Sequence, residues 1–109
     1  MKLRLALTPQ ADRDIDNHFE YIAKDNLDAA IRFYEAAFQS FDLLLKNPHM
    51  GPVRDFENSQ LKEIRLWLVK GFEKYLIFYR ATDELVEIVR ILHVARDIDR
   101  ILSSEAETE

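Results

Sequence analysis

Residues 61–96 read LKEIRLWLVKGFEKYLIFYRATDELVEIVRILHVAR, and this stretch decides the fold. It contains three short segments rich in β-branched, aromatic and other apolar residues, which are typical of β-strands. The breaks between them, at Lys70-Gly71 and after Arg80, are too short for a helix that could connect parallel strands. The stretch therefore predicts a three-stranded antiparallel meander, which the rest of the chain covers.

Both faces of the predicted meander are largely apolar. If the side chains of the third strand alternate strictly, Val86, Ile88 and Leu92 lie on one face together with Arg90. Helices on one side cover only one face of a sheet. If the other face were exposed to solvent, apolar and polar residues would alternate more regularly along each strand. We therefore expect residues 97–102 or another protein chain to cover part of the second face.

The chain before the meander predicts one strand and two helices. Leucines alternate with other residues over residues 2–7, as in a strand with one buried face. Thr8 followed by proline is a favourable helix N-terminus, and helical spacing continues to about residue 24. Asn26 is a second N-cap and precedes an amphipathic helix over residues 27–46. Because the link between the two helices is so short, they must lie antiparallel.

Length and composition limit the possible fold classes and cellular compartments. The chain has 109 residues, no cysteine, and a formal net charge of −5 from 15 basic and 20 acidic residues. We predict one α+β domain over residues 1–102, followed by an acidic, disordered tail over residues 103–109. No apolar run approaches the ~20 residues that cross a bilayer, and the lack of cysteine fits a reducing compartment, so we expect a cytoplasmic protein without a membrane partner. The net acidity argues against a general binder of nucleic acid, and we predict no direct sequence-specific binding of nucleic acid by this chain alone.

No residue pattern matches a common catalytic, metal or phosphate site. The histidines His18, His49 and His93 lie on different predicted elements, without the spacing of metal ligands. With only two glycines the chain has no glycine-rich phosphate loop, and no serine lies near a histidine in a nucleophile motif. The helical carboxylates lie mostly at solvent-facing positions. We therefore predict no metal site and no cofactor.

The remaining candidate site is a group of cations on the predicted sheet, Arg65, Arg90 and Arg96, with His93 beside them. Arg65 and Arg90 interrupt apolar strands, where an unpaired guanidinium would be costly. In one interpretation Arg90 reaches the rim of the sheet or pairs with an acid: Glu63, Glu87 or Asp97. In the other interpretation these cations line a surface that receives a phosphate or the carboxylates of a partner protein.

Seven pieces of the sequence carry a resemblance to a known family. They are TPQADRDI (8–15), YIA (21–23), AAIRF (29–33), LLLKNPHMG (43–51), IRLW (64–67), YLIFYR (75–80) and EIVRILHVARD (87–97). In this order and spacing they resemble the ParE branch of the ParE/RelE toxin superfamily, the toxins of bacterial type II toxin–antitoxin and plasmid-stabilisation systems. The resemblance extends from Leu3 to about Ile101.

The resemblance implies an α+β fold with an N-terminal strand, an antiparallel helical hairpin, the three-stranded meander and a short C-terminal helix. It also implies a toxin that a ParD-like antitoxin neutralises and that causes growth arrest when released. The C-terminal segment of such an antitoxin docks on the helical hairpin and along the sheet of the toxin. The candidate antitoxin-binding residues are Tyr34, Phe38, Phe41, Tyr75 and Tyr79.

The resemblance implies two different activities. ParE-like toxins are associated with inhibition of DNA gyrase, and RelE-like toxins with ribosome-dependent mRNA cleavage, which needs several cations and a proton-transfer residue around one phosphate. Here Lys62 is the one lysine in the segment just before Arg65, and the chain ends in EAETE and not in His-Tyr. These departures favour a gyrase inhibitor that acts by binding. Its target-binding candidates are Arg65, Trp67, Arg90, His93 and Arg96.

Two alternatives stay open from the sequence. The first is a metal-independent mRNA endonuclease of RelE type, whose catalytic residues would be Arg65, Arg90 and His93. The second is a homologue that has lost its toxicity and binds only an antitoxin.

Overall fold

The computed structural model of the protein describes residues 3–54, 63–96, 98 and 100–102. Its elements are β1 (Arg4–Leu7), α1 (Pro9–Ala23), α2 (Leu27–Lys46), β2 (Arg65–Val69), β3 (Phe72–Ala81) and β4 (Leu85–His93). Residues 98 and 100–102 are helical as well. The predicted α+β class and the predicted order of elements are confirmed. The predicted tail at residues 103–109 lies outside the described residues, as do residues 55–62.

The helices begin where the sequence predicts. Thr8 Oγ1 accepts a hydrogen bond from the backbone N–H of Ala11 at 3.0 Å, which satisfies one of the free N–H groups at the start of α1. Asn26 Oδ1 accepts in the same way from the N–H of Ala29 at 3.0 Å and caps α2. Within the described residues no helix has the length and apolarity needed to span a membrane.

The sheet has the strand order β1-β4-β3-β2. Its antiparallel pairs β2–β3 and β3–β4 form the predicted meander. β1 pairs with β4 in parallel, from Arg4 opposite Leu85 to Leu7 opposite Ile88, so the sheet is mixed. The sequence predicted β1 without assigning it a neighbour, because parallel strands are joined through long connections that leave no local sequence pattern.

A bulge in β4 changes which side chains face the helices. Phe78 in β3 lies opposite Arg90, but the next residue, Tyr79, lies opposite Ile88, so Val89 is an extra residue in β4. The extra residue shifts the alternation of side chains by one position. The strict alternation predicted for this strand is therefore wrong. Ile91 joins Val86 and Ile88 on the helix-facing side, whereas Val89 and Leu92 lie together on the other side.

The larger core lies between the two helices and the sheet and includes Phe33 of α2. The Phe33 ring is fully buried and contacts the rings of His18, Phe72 and Tyr75, with centroid separations of 6.0, 5.4 and 4.9 Å. Aromatic pairs in this range add to the stability gained from apolar burial. The core residues are Ala11, Ile15, Phe33, Ala37, Phe41, Leu44, Val69, Tyr75, Ile77, Tyr79, Val86, Ile88 and Ile91.

The second core covers the opposite face of the sheet. It consists of Ile64, Leu76, Phe78, Val89, Leu92 and Leu102, with Leu66, Ile98 and Ile101 packed against it. Leu102 is fully buried there. The C-terminal segment thus covers part of this face, which is one of the two coverings that the sequence predicted.

Candidate functional site

Arg90 forms a two-point ion pair with Asp14 of α1. Its Nε lies 2.7 Å from Asp14 Oδ2, and its Nη2 lies 2.9 Å from Oδ1. The side chains of Arg90 and Asp14 are only 14% and 9% exposed, so water screens the pair poorly. Asp14 was not among the predicted partners, and Glu87 pairs with Arg80 instead. The Arg90 guanidinium is engaged in the packing of α1 on β4, which disfavours its predicted role in target binding or catalysis.

β1 pairs with β4 only as far as Ile88. Beyond that residue, three side chains cover the edge of β4: Thr8, just before α1, and Asp14 and His18 of α1. A strand edge without a neighbour exposes unpaired backbone groups. Thr8 Oγ1 donates to the Val89 carbonyl at 2.7 Å, and Asp14 Oδ2 accepts from the Ile91 N–H at 3.0 Å. His18 Nε2 lies 2.7 Å from the Ile91 carbonyl oxygen. Asp14 and His18 lie four residues apart on one helix face, so they reach the same stretch of β4.

The bond to Ile91 decides where the proton of His18 lies. A carbonyl oxygen only accepts, so Nε2 must carry the proton and donate it. Burial disfavours the charged ring and lowers the pKa of His18 below its ordinary value of 6.5, although the bond to Ile91 and the nearby Asp14 raise it. His18 is therefore neutral at neutral pH.

We expect stability to fall as the pH drops below about 6.5, because of His18. In that range the unfolded chain binds a proton that the folded chain does not, so the free energy of unfolding decreases by at most about 1.4 kcal/mol per pH unit. Urea denaturation between pH 7.5 and 5.5 measures the effect. His18→Gln keeps a side-chain donor without the titration and should flatten the dependence, whereas His49→Gln, at an exposed position, should not. An equal slope in both variants would contradict the assignment.

Arg65 holds the loop that follows α2. Its Nη1 donates to the carbonyl oxygens of His49 at 3.1 Å and Gly51 at 2.7 Å. The Tyr79 hydroxyl accepts from the Gly51 N–H at 3.0 Å and donates to the Pro48 carbonyl at 3.0 Å. A β-carbon at position 51 would lie 2.7 Å from that hydroxyl, so only glycine fits this close approach. Arg65 is therefore engaged in positioning the loop against the sheet.

Arg65 and Arg90 do not form one cationic centre with His93. Arg65 lies opposite Tyr79 of β3, whereas Arg90 and His93 belong to β4 on the far side of β3. Neighbouring strands lie about 4.8 Å apart, so the two arginine backbones are about 10 Å apart. Each guanidinium also bonds to its own acceptors, Arg65 in the loop after α2 and Arg90 on α1. This arrangement disfavours the predicted catalytic set.

A cavity of about 390 Å³, which we call the α1–β4 cavity, brings other candidates together. The His93 ring packs edge-on against Tyr75 at a centroid separation of 5.0 Å, and Tyr75 packs against His18 at 4.8 Å. Arg96 lines the same cavity, and the sequence missed Asn17 and Tyr21. Their spacing in the sequence could have identified them, since Asn17 and Tyr21 lie three and seven residues after Asp14 and so share a helix face with Asp14 and His18. The lining residues are Asp14, Asn17, His18, Tyr21, Tyr75, His93, Ala95 and Arg96.

Trp67 lies at the opposite edge of the sheet, in a second cavity that we call the α2–β2 cavity. It has a volume of about 540 Å³ and lies between α2 and the strands β2 and β3. The five target-binding candidates of the sequence are thus divided among separate places. The residues that line the α2–β2 cavity are Gln39, Ser40, Leu43, Trp67, Leu68, Lys70 and Glu73.

Comparison with known proteins decides the family. The family model described as ParE toxin of type II toxin-antitoxin system, parDE, matches residues 5–98. The chain belongs to this family. It is therefore a type II toxin by family, as the sequence pieces quoted above predicted.

Two solved structures share the fold of this ParE-family chain. One is the chromosomal ParDE toxin–antitoxin system from P. aeruginosa, with a TM-score of 0.66, 17% identity, and coverage of 84% of this chain and 96% of that chain. The other is the E. coli DinJ-YafQ toxin-antitoxin complex, with a TM-score of 0.57, 17% identity, and coverage of 87% and 96%. A search of curated proteins gives no significant match.

Two of the antitoxin-binding candidates are buried in this ParE-family fold. Phe41 and Tyr79 are fully buried in the larger core, so no partner can reach them without rearrangement of that core. We therefore correct their assignment: both are core residues. Tyr75 is 9% exposed and lines the α1–β4 cavity.

The other two candidates lie on the outer side of α2, on a surface that we call the outer stripe: Leu27, Ile31, Tyr34 and Phe38. Their spacing of three and four residues places them on one helix face. Leu27, Ile31 and Tyr34 are exposed, and Phe38 is half-buried. The Tyr34 ring contacts Phe38 at a centroid separation of 4.9 Å and Phe19 of α1 at 6.4 Å, so the stripe borders the contact between α1 and α2.

Proposed function

We propose that this chain is a cytoplasmic toxin that a ParD-like antitoxin neutralises and that acts by binding and inhibiting DNA gyrase. Membership of the ParE family and a shared fold with the P. aeruginosa ParDE toxin–antitoxin system support the antitoxin partner. The observation that carries the mode of action is the engagement of both expected arginines. Arg65 bonds to two carbonyls of the loop after α2, and Arg90 is paired with Asp14 of α1, so the two guanidiniums are held apart and do not converge on one scissile phosphate.

The outer stripe is the surface that we assign to the antitoxin. It presents apolar side chains at successive turns of α2, and the exposed charges Arg32 and Glu35 flank it. An apolar centre with a charged rim is the usual composition of a binding surface. An antitoxin segment that forms an amphipathic helix, with apolar residues three and four apart, would pack its apolar face on the stripe.

We expect Ile31→Asp to weaken antitoxin binding by about 100-fold, because a charge at the centre of an apolar interface loses hydration without gaining a partner. The cognate antitoxin and isothermal titration calorimetry provide the measurement. Leu43→Asp is the matched control, since both residues lie on α2 and are 43% exposed. Leu43 lies about a third of a turn away around the helix and lines the α2–β2 cavity. If Leu43→Asp weakened binding and Ile31→Asp did not, the antitoxin would dock at that cavity and the stripe assignment would be wrong.

The target is tested with purified protein. Saturating toxin should inhibit DNA supercoiling by gyrase, and adding the antitoxin should restore it. Intact supercoiling would overturn the gyrase assignment. Codon-phased cuts in mRNA on ribosomes would favour the nuclease, and expression without a growth defect despite antitoxin binding would favour the homologue that has lost its toxicity.

A further inference from the structure

We propose that the α1–β4 cavity is a binding site for a phosphate group. This assignment is independent of the cellular target, and it concerns hydrogen-bond donors of α1 and of the turn after β4. Arg96 and Asn17 are exposed residues that line the cavity. The guanidinium of Arg96 donates only, and the amide of Asn17 has two N–H donors, so both can bond to the oxygens of an anion. Tyr21 and Tyr75 belong to the same lining, and a tyrosine hydroxyl can also donate a hydrogen bond.

His93 contributes its Nε2 as a hydrogen-bond donor, because its Nδ1 already accepts a hydrogen bond. Its Nδ1 lies 3.1 Å from the backbone nitrogen of Ala95 and accepts that hydrogen. The neutral ring therefore carries its proton on Nε2, which is a hydrogen-bond donor. The contact also ties the ring to the turn that carries Arg96, where the Arg96 N–H donates to the His93 carbonyl at 3.0 Å.

The charge of the cavity favours an anion although the whole chain is acidic. Among the described residues that line the cavity, Asp14 is the one carboxylate, and it is already paired with Arg90 and bonded to the Ile91 N–H. His18 has committed its proton to the Ile91 carbonyl. Arg96 is then the remaining formal charge of this described lining, and a bound anion would neutralise it.

The number of donors favours phosphate over a carboxylate. Arg96, His93, Asn17 and the two tyrosines offer more donors than the two oxygens of a carboxylate can accept in one orientation, whereas a phosphate presents oxygens on all sides. Tyr21 is 71% exposed, so its ring is also available to a planar group attached to the phosphate. Both the free ion and a mononucleotide present this phosphate chemistry.

The test is an NMR titration of the purified, isotope-labelled chain, without antitoxin or gyrase. Inorganic phosphate should shift the His93 ring and Arg96 side-chain resonances at constant pH, and sodium acetate at the same ionic strength should bind at least about 10-fold more weakly. Arg96→Gln and His93→Gln should each weaken phosphate binding by about 10-fold. Arg32→Gln removes another exposed arginine, on α2, and should leave phosphate binding unchanged.

A second titration with AMP separates the two sources of phosphate. Tighter binding of AMP, reduced to the level of inorganic phosphate by Tyr21→Ala, would assign the site to a nucleotide. Equal binding of the two would assign it to the phosphate group alone. The proposal is overturned if acetate binds as well as phosphate, or if Arg32→Gln weakens binding as much as Arg96→Gln. Circular dichroism of each variant verifies that the chain is folded.

Discussion

Replacing Asp14 by alanine is expected to lower the free energy of unfolding by about 3–5 kcal/mol. The substitution leaves the poorly exposed Arg90 without its two-point carboxylate partner and removes the acceptor of the Ile91 N–H. Removing one partner of a buried pair is costly because the other charge stays in a poorly solvated place. Urea denaturation at neutral pH measures the change.

Asp16 provides the matched control for this prediction. It belongs to the same helix but is exposed, so Asp16→Ala should change the free energy of unfolding by no more than about 0.5 kcal/mol. The double variant Asp14→Ala with Arg90→Met should be more stable than Asp14→Ala alone, because the uncompensated charge is gone. Equal losses for Asp14→Ala and Asp16→Ala would show that the ion pair contributes little.

Phe41→Ala is expected to lower the free energy of unfolding by about 3–5 kcal/mol, since it leaves a cavity in the core. The Phe41 ring is fully buried and packs against Phe38 at a centroid separation of 5.1 Å. Tyr34→Ala should have the opposite pattern of effects on stability and on antitoxin binding. Tyr34 is 45% exposed on the outer stripe, so its loss should cost about 1 kcal/mol or less in stability and should weaken antitoxin binding.

If Phe41→Ala does not fold, the milder variant Phe41→Leu still allows the effects at Phe41 and at Tyr34 on antitoxin binding to be compared. It should bind the cognate antitoxin as tightly as the unchanged chain, because the side chain at this position does not reach the surface. If Phe41→Leu weakened antitoxin binding as strongly as Tyr34→Ala, Phe41 would belong to the docking surface and the core assignment would be incomplete.

The candidate sites show where sequence reasoning succeeded and where it could not. The pattern of α2 identified its apolar stripe, but it could not tell that Tyr34 is exposed whereas Phe41 is buried, since both are aromatic residues at helical spacing. His93 and Arg96 were predicted as members of one group on the sheet, and both line the α1–β4 cavity. Arg90 stands close to both in sequence, yet its side chain is committed to α1.

The sequence by itself determined the elements of this protein, because their signals are local. The cap at Thr8 or Asn26, the turn at Gly71 and the periodicity of each segment act over a few residues. Only the tertiary structure decided the parallel pairing of β1 with β4, the bulge at Val89 and the pairing of Asp14 with Arg90. Asp14 and Arg90 lie 76 residues apart, and nothing in the residues next to either one specifies the other. Such contacts form only when the helices pack on the sheet. They distinguish the side chains that stabilise this fold from those that stay accessible to a partner.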